Sequence, residues 1–209
     1  MINIVSLIAL IALIITITIH EFFHALIADK LGDPTPRAAG RLSLNPLVHA
    51  DPIGTILLPL LSAFTGIPTI GWAKPVPIDP FNLRNPKRDE ILISLAGPVS
   101  NFLFAIIIAT IANIFNIQSI FVYILVLINI SLGIFNLIPI PPLDGSHILL
   151  NLLPNESKYQ WEEALNRYGF ILLIIFVFLP IGGRTLLSTI ISPIIQFIFS
   201  LLLPGYLGL

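Results

Sequence analysis

Long apolar stretches dominate the hydrophobic pattern of this chain. The first covers residues 3–28, and at about 1.5 Å per residue a helix of this length crosses a hydrocarbon core of about 30 Å. It differs from a cleaved secretory signal because no basic residue precedes it and the apolar run is too long. Later stretches predict four more spanning helices, at residues 91–116, 119–138, about 161–179 and 185–203.

A further apolar stretch, residues 53–72, is interrupted by three glycines and two prolines. These interruptions predict a broken or re-entrant element instead of a straight spanning helix. If this element does not cross, the basic loops lie on one side of the membrane, and only Arg184 lies on the other. The positive-inside rule makes the basic side cytoplasmic.

Two linkers have strand character. Residues 41–44 alternate polar and apolar side chains, and residues 73–79 contain Pro75 and Pro77, which restrict that segment to an extended edge or irregular chain. Such edges could add a strand from an unwound peptide. The alternative, that both linkers only cover the membrane surface, stays open.

Composition agrees with a membrane protein. Of 209 residues, 56% are hydrophobic and 10% are charged, whereas soluble domains average about 25% charged residues. The formal net charge of −1 offers no electrostatic footprint for nucleic acid. We therefore expect an all-α polytopic membrane protein with about five transmembrane helices, the broken element and short membrane-associated β segments. Without cysteine, any metal must be held by His, Asp or Glu.

An HExxH motif, His20-Glu21-Phe22-Phe23-His24, lies near the end of the first predicted span. Positions four apart share one helix face, so both imidazoles can reach one ion while Glu21 lies close enough to contact a metal-bound water. This arrangement is typical of zinc-assisted hydrolysis, in which the glutamate takes a proton from water. Intramembrane ionisable groups are functional by default. The alternative function is a divalent-metal or proton transporter that uses the same residues.

A catalytic zinc usually takes three protein ligands and keeps one position open, so a third ligand is required. Asp144 is the best candidate, because three prolines end the preceding span and Gly145 frees the backbone beside the carboxylate. The predicted number of membrane crossings also places Asp144 on the same side of the membrane as the two histidines. An N-cap role is its competing interpretation. His147 and His49 are the rival third ligands. His147 could instead be an interfacial residue, and His49 could instead have a surface or turn role.

Two other features accompany the predicted spans. Asn136 offers an amide at membrane depth that could stabilise an oxyanion or hold the substrate backbone, and an interhelical hydrogen bond is the alternative. Ala96 and Ser100 place small residues four apart on the second span. That spacing predicts close packing against the helix that carries the HExxH motif.

The HExxH motif, together with Asn136, Pro139 and Leu143-Asp144-Gly145 two spans later, resembles the site-2 protease family of zinc intramembrane metalloproteases. The resemblance covers about residues 4–150. It is strongest to the short prokaryotic members without PDZ-like or nucleotide-sensing domains, which carry a segment similar to residues 40–46. It implies one Zn²⁺ per chain and the following site residues: His20, His24 and Asp144 as ligands, Glu21 as catalytic base, and Asn136 as a contact to substrate or intermediate.

The resemblance also implies hydrolysis of peptide bonds in or near transmembrane segments of membrane proteins. We expect one protease domain over residues 1–209, with a catalytic core at about 1–153 and C-terminal helices at about 160–204. We expect it in the lipid bilayer of a prokaryotic plasma membrane, with its site open toward the cytoplasm. Because a helical peptide bond is shielded by its own hydrogen bonds, the substrate segment must unwind locally. The predicted edge strands and the broken element at residues 53–72 are candidates for binding the unwound substrate segment.

Overall fold

The computed structural model describes residues 4–65 and 71–206, and the chain within them is mainly helical. Short π and 3₁₀ segments, at Pro52–Leu57, Pro80–Asn82 and Pro204–Tyr206, separate some of the helices. The helices and strands are α1 (Ile4–Leu31), α2 (Thr35–Ala38), α3 (Pro46–His49), α4 (Leu58–Thr65), α5 (Pro86–Ile114), α6 (Ile120–Asn136), α7 (Asp144–Leu152), α8 (Asn155–Phe178), β1 (Pro180–Ile181), β2 (Arg184–Thr185) and α9 (Leu186–Leu202).

Each of the five predicted spanning stretches overlaps a long helix, namely α1, α5, α6, α8 or α9. Two of them, α1 and α5, are long and apolar enough to cross a membrane. The helices α6 and α9 are apolar but have 17 residues each, and the first half of α8 is rich in charged residues. The helical architecture is confirmed, and the count of five crossings stays a prediction.

The core that positions the site is formed by α1, α5 and α6, with α9 packed on α6. Small residues on α5 let the neighbouring helices approach closely: Ala105 and Ala109 are buried against Val126 and Ile130 of α6. Close packing of α5 against α1, predicted from the small residues of the second span, is confirmed. This packing brings the middle of α5 against the end of α1 that carries the HExxH motif.

The interrupted stretch 53–72 begins as a helical segment, with π geometry over Pro52–Leu57 and α geometry over Leu58–Thr65, and residues 71–72 are irregular. Asp51 caps its start by accepting hydrogen bonds from the backbone N–H groups of Ile53 and Gly54. The hydroxyl of Thr55 donates to the carbonyl of Trp72 at 2.8 Å, so the two ends of the stretch lie in contact. A complete crossing would separate its ends by about 30 Å. The contact therefore agrees with the predicted re-entrant path, although residues 66–70 lie outside the described residues.

The predicted β segments at 41–44 and 73–79 are not formed: both are irregular chain, which for 73–79 is one of the two predicted alternatives. The buried guanidinium of Arg41 explains the difference: its Nη2 donates to the carbonyls of Lys74 and Pro75 at 3.0 and 2.8 Å, and its Nη1 donates to the carbonyl of Val48. Carbonyls bound by Arg41 are not available to a ladder, and Pro75 and Pro77 have no N–H to donate. A two-residue hairpin, β1–β2, forms instead between α8 and α9.

Candidate metal centre

Two imidazoles of α1 meet on one buried face of the helix. His20 and His24 are 5% and 7% exposed, and their Nε2 atoms lie 3.0 Å apart. The four-residue spacing places the two rings on the same side, as predicted. Both rings lie in the part of α1 that packs against α5.

The third group of the site comes from the start of α7. The Oδ2 atom of Asp144 lies 3.2 Å from Nε2 of His20 and 3.4 Å from Nε2 of His24. Gly145 permits this approach, because a Cβ there would lie 2.5 Å from the carbonyl oxygen of Ile138. The structure thus brings the residue predicted as third ligand to the two histidines, across more than a hundred residues of sequence.

Hydrogen bonds fix which ring nitrogen of each histidine carries a proton. Nδ1 of His20 lies 2.7 Å from Oδ1 of Asn101, and Nδ1 of His24 lies 2.7 Å from the carbonyl of Ile93. Both oxygens can only accept, so each Nδ1 donates. In a neutral imidazole the other nitrogen is then unprotonated, and both Nε2 atoms present lone pairs to the centre of the site. Such partners orient metal-binding histidines in proteins.

The donor set fits a zinc ion. Two Nε2 lone pairs and a carboxylate oxygen converge within 3.0–3.4 Å, and the buried Oδ2 atom of Asp144 has no hydrogen-bond partner among the described residues. Three converging acceptors repel one another unless a cation lies between them. Ligands at about 2.0–2.1 Å from a tetrahedral zinc lie about 3.3–3.4 Å apart. His20, His24 and Asp144 therefore have the spacing and the chemistry to hold Zn²⁺.

A glycine of α5 closes one side of this centre. A Cβ on Gly97 would lie 2.6 Å from Nε2 of His20 and would also collide with Nε2 of His24. The next residue, Pro98, cannot donate a backbone hydrogen bond to the carbonyl of Ser94. The helix ladder is thus interrupted beside the carbonyl of Ile93, which accepts the proton of His24.

Glu21 and Asn136 are the other predicted site residues. The Glu21 side chain is partly exposed, and across residues 4–65 and 71–206 its carboxylate has no hydrogen-bond or ion-pair partner. It is free to accept a proton. Asn136 is the last residue of α6, and its amide donates to the carbonyl of Leu132 in the same helix at 3.1 Å. The predicted contact of Asn136 with substrate stays a prediction.

Neither the competing role of Asp144 nor a rival third ligand is observed in the described part of the chain. Asp144 is the first residue of α7 and its side chain caps nothing, so the N-cap interpretation is wrong. His147 is exposed. His49 is fully buried, so a surface role is wrong; its Nε2 donates to the carbonyl of Ser43 at 2.7 Å and holds a turn. Neither histidine belongs to the group formed by His20, His24 and Asp144.

Sequence reasoning missed three groups that surround the imidazoles: Gly97, Asn101 and the carbonyl of Ile93. The small residues Ala96 and Ser100 predict a packing surface, which is correct but incomplete. A signal was available for Asn101, because an amide in the middle of an apolar span is costly unless it has a partner. The role of the Ile93 carbonyl has no sequence signal, since every residue carries one.

Comparisons with known proteins agree with this site. A family model described as Peptidase family M50 matches residues 8–119 and 113–176. The chain is 36% identical to YwhC of Bacillus subtilis, whose name assigns it as a zinc metalloprotease, over 84% of this chain and 82% of YwhC. It is 28% identical to Rip2 of Mycolicibacterium smegmatis, with the same assignment, over 82% of this chain and 66% of Rip2.

A zinc metalloprotease of Methanocaldococcus jannaschii is 29% identical over 54% of this chain and 34% of the relative. No solved structure matches the chain significantly.

Proposed function

Because the chain belongs to Peptidase family M50 and is a zinc metalloprotease, we propose that it hydrolyses peptide bonds in or near transmembrane segments of membrane proteins. The observation that carries this proposal is the convergence of two Nε2 atoms, of His20 and His24, and a carboxylate oxygen of Asp144 within 3.0–3.4 Å of one another. We propose that these residues hold one Zn²⁺ per chain. A site of three protein ligands leaves a fourth position for water, as hydrolysis requires.

Glu21 is the proposed general base. Bound zinc supplies an acidified water, with a pKa near 7, and polarises the peptide carbonyl. Glu21 follows His20 directly on α1, and its carboxylate has no competing partner in the described part of the chain. In the proposed reaction it accepts a proton from the attacking water and returns it to the leaving amine. Asn136 is proposed to contact the substrate backbone.

Apolar surface on the outer helices supports action within a membrane. Large apolar side chains of α5 are exposed at three- to four-residue spacing, which places an unpartnered apolar face toward lipid. On α1, the two histidines precede the first charged residue beyond the motif, Asp29, by nine and five positions. We propose that the site lies inside a prokaryotic plasma membrane and opens to the cytoplasm. The exposed large apolar residues of α5 include Leu103, Ile106, Ile107, Ile111 and Ile114.

The proposed substrate is a transmembrane segment that has unwound locally. An irregular segment, residues 72–79, runs near the site: Ile78 packs against a cluster that contains Ala28 of α1 and Ile93 of α5. The backbone at Lys74 and Pro75 is held by Arg41. Although this segment forms no strand, its position beside Ile93, whose carbonyl accepts the proton of His24, supports a role in holding unwound substrate. The transporter alternative has no support from the relatives, which are assigned as zinc metalloproteases.

The test compares the full chain with Glu21→Gln in detergent, using single-span membrane segments fused to soluble tags as substrates. Glu163→Gln, on the exposed surface of α8, is the matched control. We expect Glu21→Gln to keep its zinc and to lose about 10²–10⁴-fold in cleavage rate, the usual contribution of a general base. Cleavage by Glu21→Gln at the parent rate would contradict the proposal, as would cleavage of soluble tags alone.

A further inference from the structure

A buried chain of polar side chains runs from His20 through three helices. It consists of Asn101 on α5, Asn129 on α6 and Thr16 on α1, and each of the three is 0% exposed. The cluster lies among apolar residues, where a polar group without a partner is expensive. His20, at one end of the cluster, is a proposed zinc ligand. Within the part of the chain that the structure describes, the other three members contact the metal centre only through His20.

The orientation of the Asn129 amide is fixed by its surroundings. Its Nδ2 lies 2.8 Å from the carbonyl of Leu125 and 2.8 Å from the hydroxyl oxygen of Thr16. The Thr16 hydroxyl already donates its proton to the carbonyl of Ala12 at 2.8 Å, so it can only accept from Asn129. A flipped amide would direct its oxygen at both acceptors. Only Nδ2 can face these two groups, which leaves Oδ1 of Asn129 pointing to Asn101.

The orientation of Asn129 then fixes that of Asn101. Nδ2 of Asn101 donates to Oδ1 of Asn129 at 3.2 Å and to the carbonyl of Thr16 at 3.3 Å. Its Oδ1 is thereby left to accept the Nδ1 proton of His20 at 2.7 Å. The donors and acceptors run in one direction, from the proton of His20 to the carbonyl of Leu125. Reversal of either amide would break the sequence.

We propose that Asn129 is a positioning residue for His20, although it touches neither the proposed zinc ion nor substrate. By holding the amide of Asn101 with its oxygen toward α1, Asn129 keeps the His20 proton on Nδ1 and leaves Nε2 free for metal. This inference rests on the proposed zinc site. The two histidines differ in their partners, which explains why only His20 needs a positioning residue. His24 donates to the backbone carbonyl of Ile93, which offers only an oxygen. His20 donates to a side-chain amide, which could rotate and offer its nitrogen instead.

The test measures zinc affinity and the position of the His20 proton in the full chain. Asn129→Leu keeps the size of the side chain and removes both of its hydrogen-bonding groups. We expect zinc affinity, measured by competition with a chelator, to fall about tenfold, the lower end of losses for partners of metal-binding residues. After the chelator has removed zinc, ¹⁵N spectra of the histidines should show the proton on Nδ1 of His20 in the parent, and a mixture of Nδ1 and Nε2 protonation in Asn129→Leu.

The matched control is Asn113→Leu, since the amide of Asn113 also links two helices, by donating to the carbonyl of Leu202 at 2.8 Å, but lies outside the cluster. It should leave zinc affinity and the His20 proton unchanged. If Asn129→Leu equals the parent in both readouts, or if His20 in the parent carries its proton on Nε2, the positioning role is overturned. If Asn129→Leu does not fold, Asn129→Ala, which also removes both hydrogen-bonding groups, is measured in its place with the same expected and overturning results. Failure of the parent to bind zinc would overturn the proposed function itself.

Discussion

Gly97 lies directly against the metal-facing edge of His20: a Cβ at this position would be 2.6 Å from the Nε2 atom. The backbone of α5 thus forms one wall of the site, and the absence of a side chain is what gives the imidazoles their room. Because α5 is anchored to α1 by helix packing along its length, it cannot retreat locally to admit a methyl group.

The first prediction is that Gly97→Ala displaces the imidazoles and lowers zinc affinity by at least about tenfold, with a matching loss of cleavage. Zinc affinity is measured by chelator competition on the purified full chain. Gly205→Ala is the control, because a Cβ at Gly205 would meet nothing within 4 Å. Parent-like zinc affinity in Gly97→Ala would show that the site does not depend on this close approach.

The sequence predicts the proposed ligands, and for the two histidines and Glu21 it does so through a local rule. His20 and His24 share a helix face by their spacing, and Glu21 follows from the same motif. Asp144 required a longer argument, from the prolines that end a helix and from the number of crossings. These rules use only spacing and backbone chemistry, so they hold without knowledge of the packing.

The groups that orient the ligands could not be predicted in the same way. Asn101 and Asn129 are polar residues in apolar spans, but their partners depend on how α1, α5 and α6 rotate against one another. Alternation at 41–44 predicts a strand that does not form, because alternation describes side chains only, and the prolines of 73–79 leave both an extended edge and irregular chain open. The carbonyls of Lys74 and Pro75 in the second segment are bound by Arg41, and that contact is set by tertiary structure.

A second prediction concerns Arg41, which is 4% exposed and donates to three carbonyls. Removing it in Arg41→Ala leaves those carbonyls without their partner, at a cost of about 1.5–3 kcal/mol per charge-assisted bond. We expect faster hydrogen exchange at the Lys74 amide, which donates to the carbonyl of His49 at 3.0 Å. Arg41→Lys should restore little, because an ammonium cannot reproduce the fork of a guanidinium.

The exposed Arg84 provides the control, since surface substitutions usually change stability by less than about 0.5 kcal/mol. Equal exchange at Lys74 in the parent, Arg41→Ala and Arg84→Ala would mean that Arg41 does not hold residues 72–79.

A third prediction is a dependence of stability on pH through Asp33, which follows the end of α1. Burial raises the pKa of this carboxyl, but hydrogen bonds from Thr35, Asp79 and Asn82 outweigh burial and hold the pKa below its usual range. A lowered pKa in the folded state means that the ionised group adds stability above the unfolded pKa of about 3.9. That contribution is lost as the pH falls through the folded pKa.

Asp33→Asn should therefore lower the thermal unfolding temperature at pH 7, because its amide would direct an N–H group at the N–H of Asp79 or lose the bond from Asn82. The difference from the parent should shrink as the pH falls below about 4. Glu163→Gln should follow the parent at every pH. A difference between Asp33→Asn and the parent that is the same at pH 7 and pH 2 would contradict an ionised Asp33.

The central claim is that Asp144 completes a zinc site with His20 and His24, and zinc content tests it most directly. Zinc is counted per chain by elemental analysis of the purified full-length protein, in the parent, in Asp144→Ala and in His147→Ala, whose histidine is exposed on the same helix. The account predicts about one zinc per chain in the parent and in His147→Ala, and loss of most of it in Asp144→Ala. Equal zinc content in Asp144→Ala and the parent would contradict it.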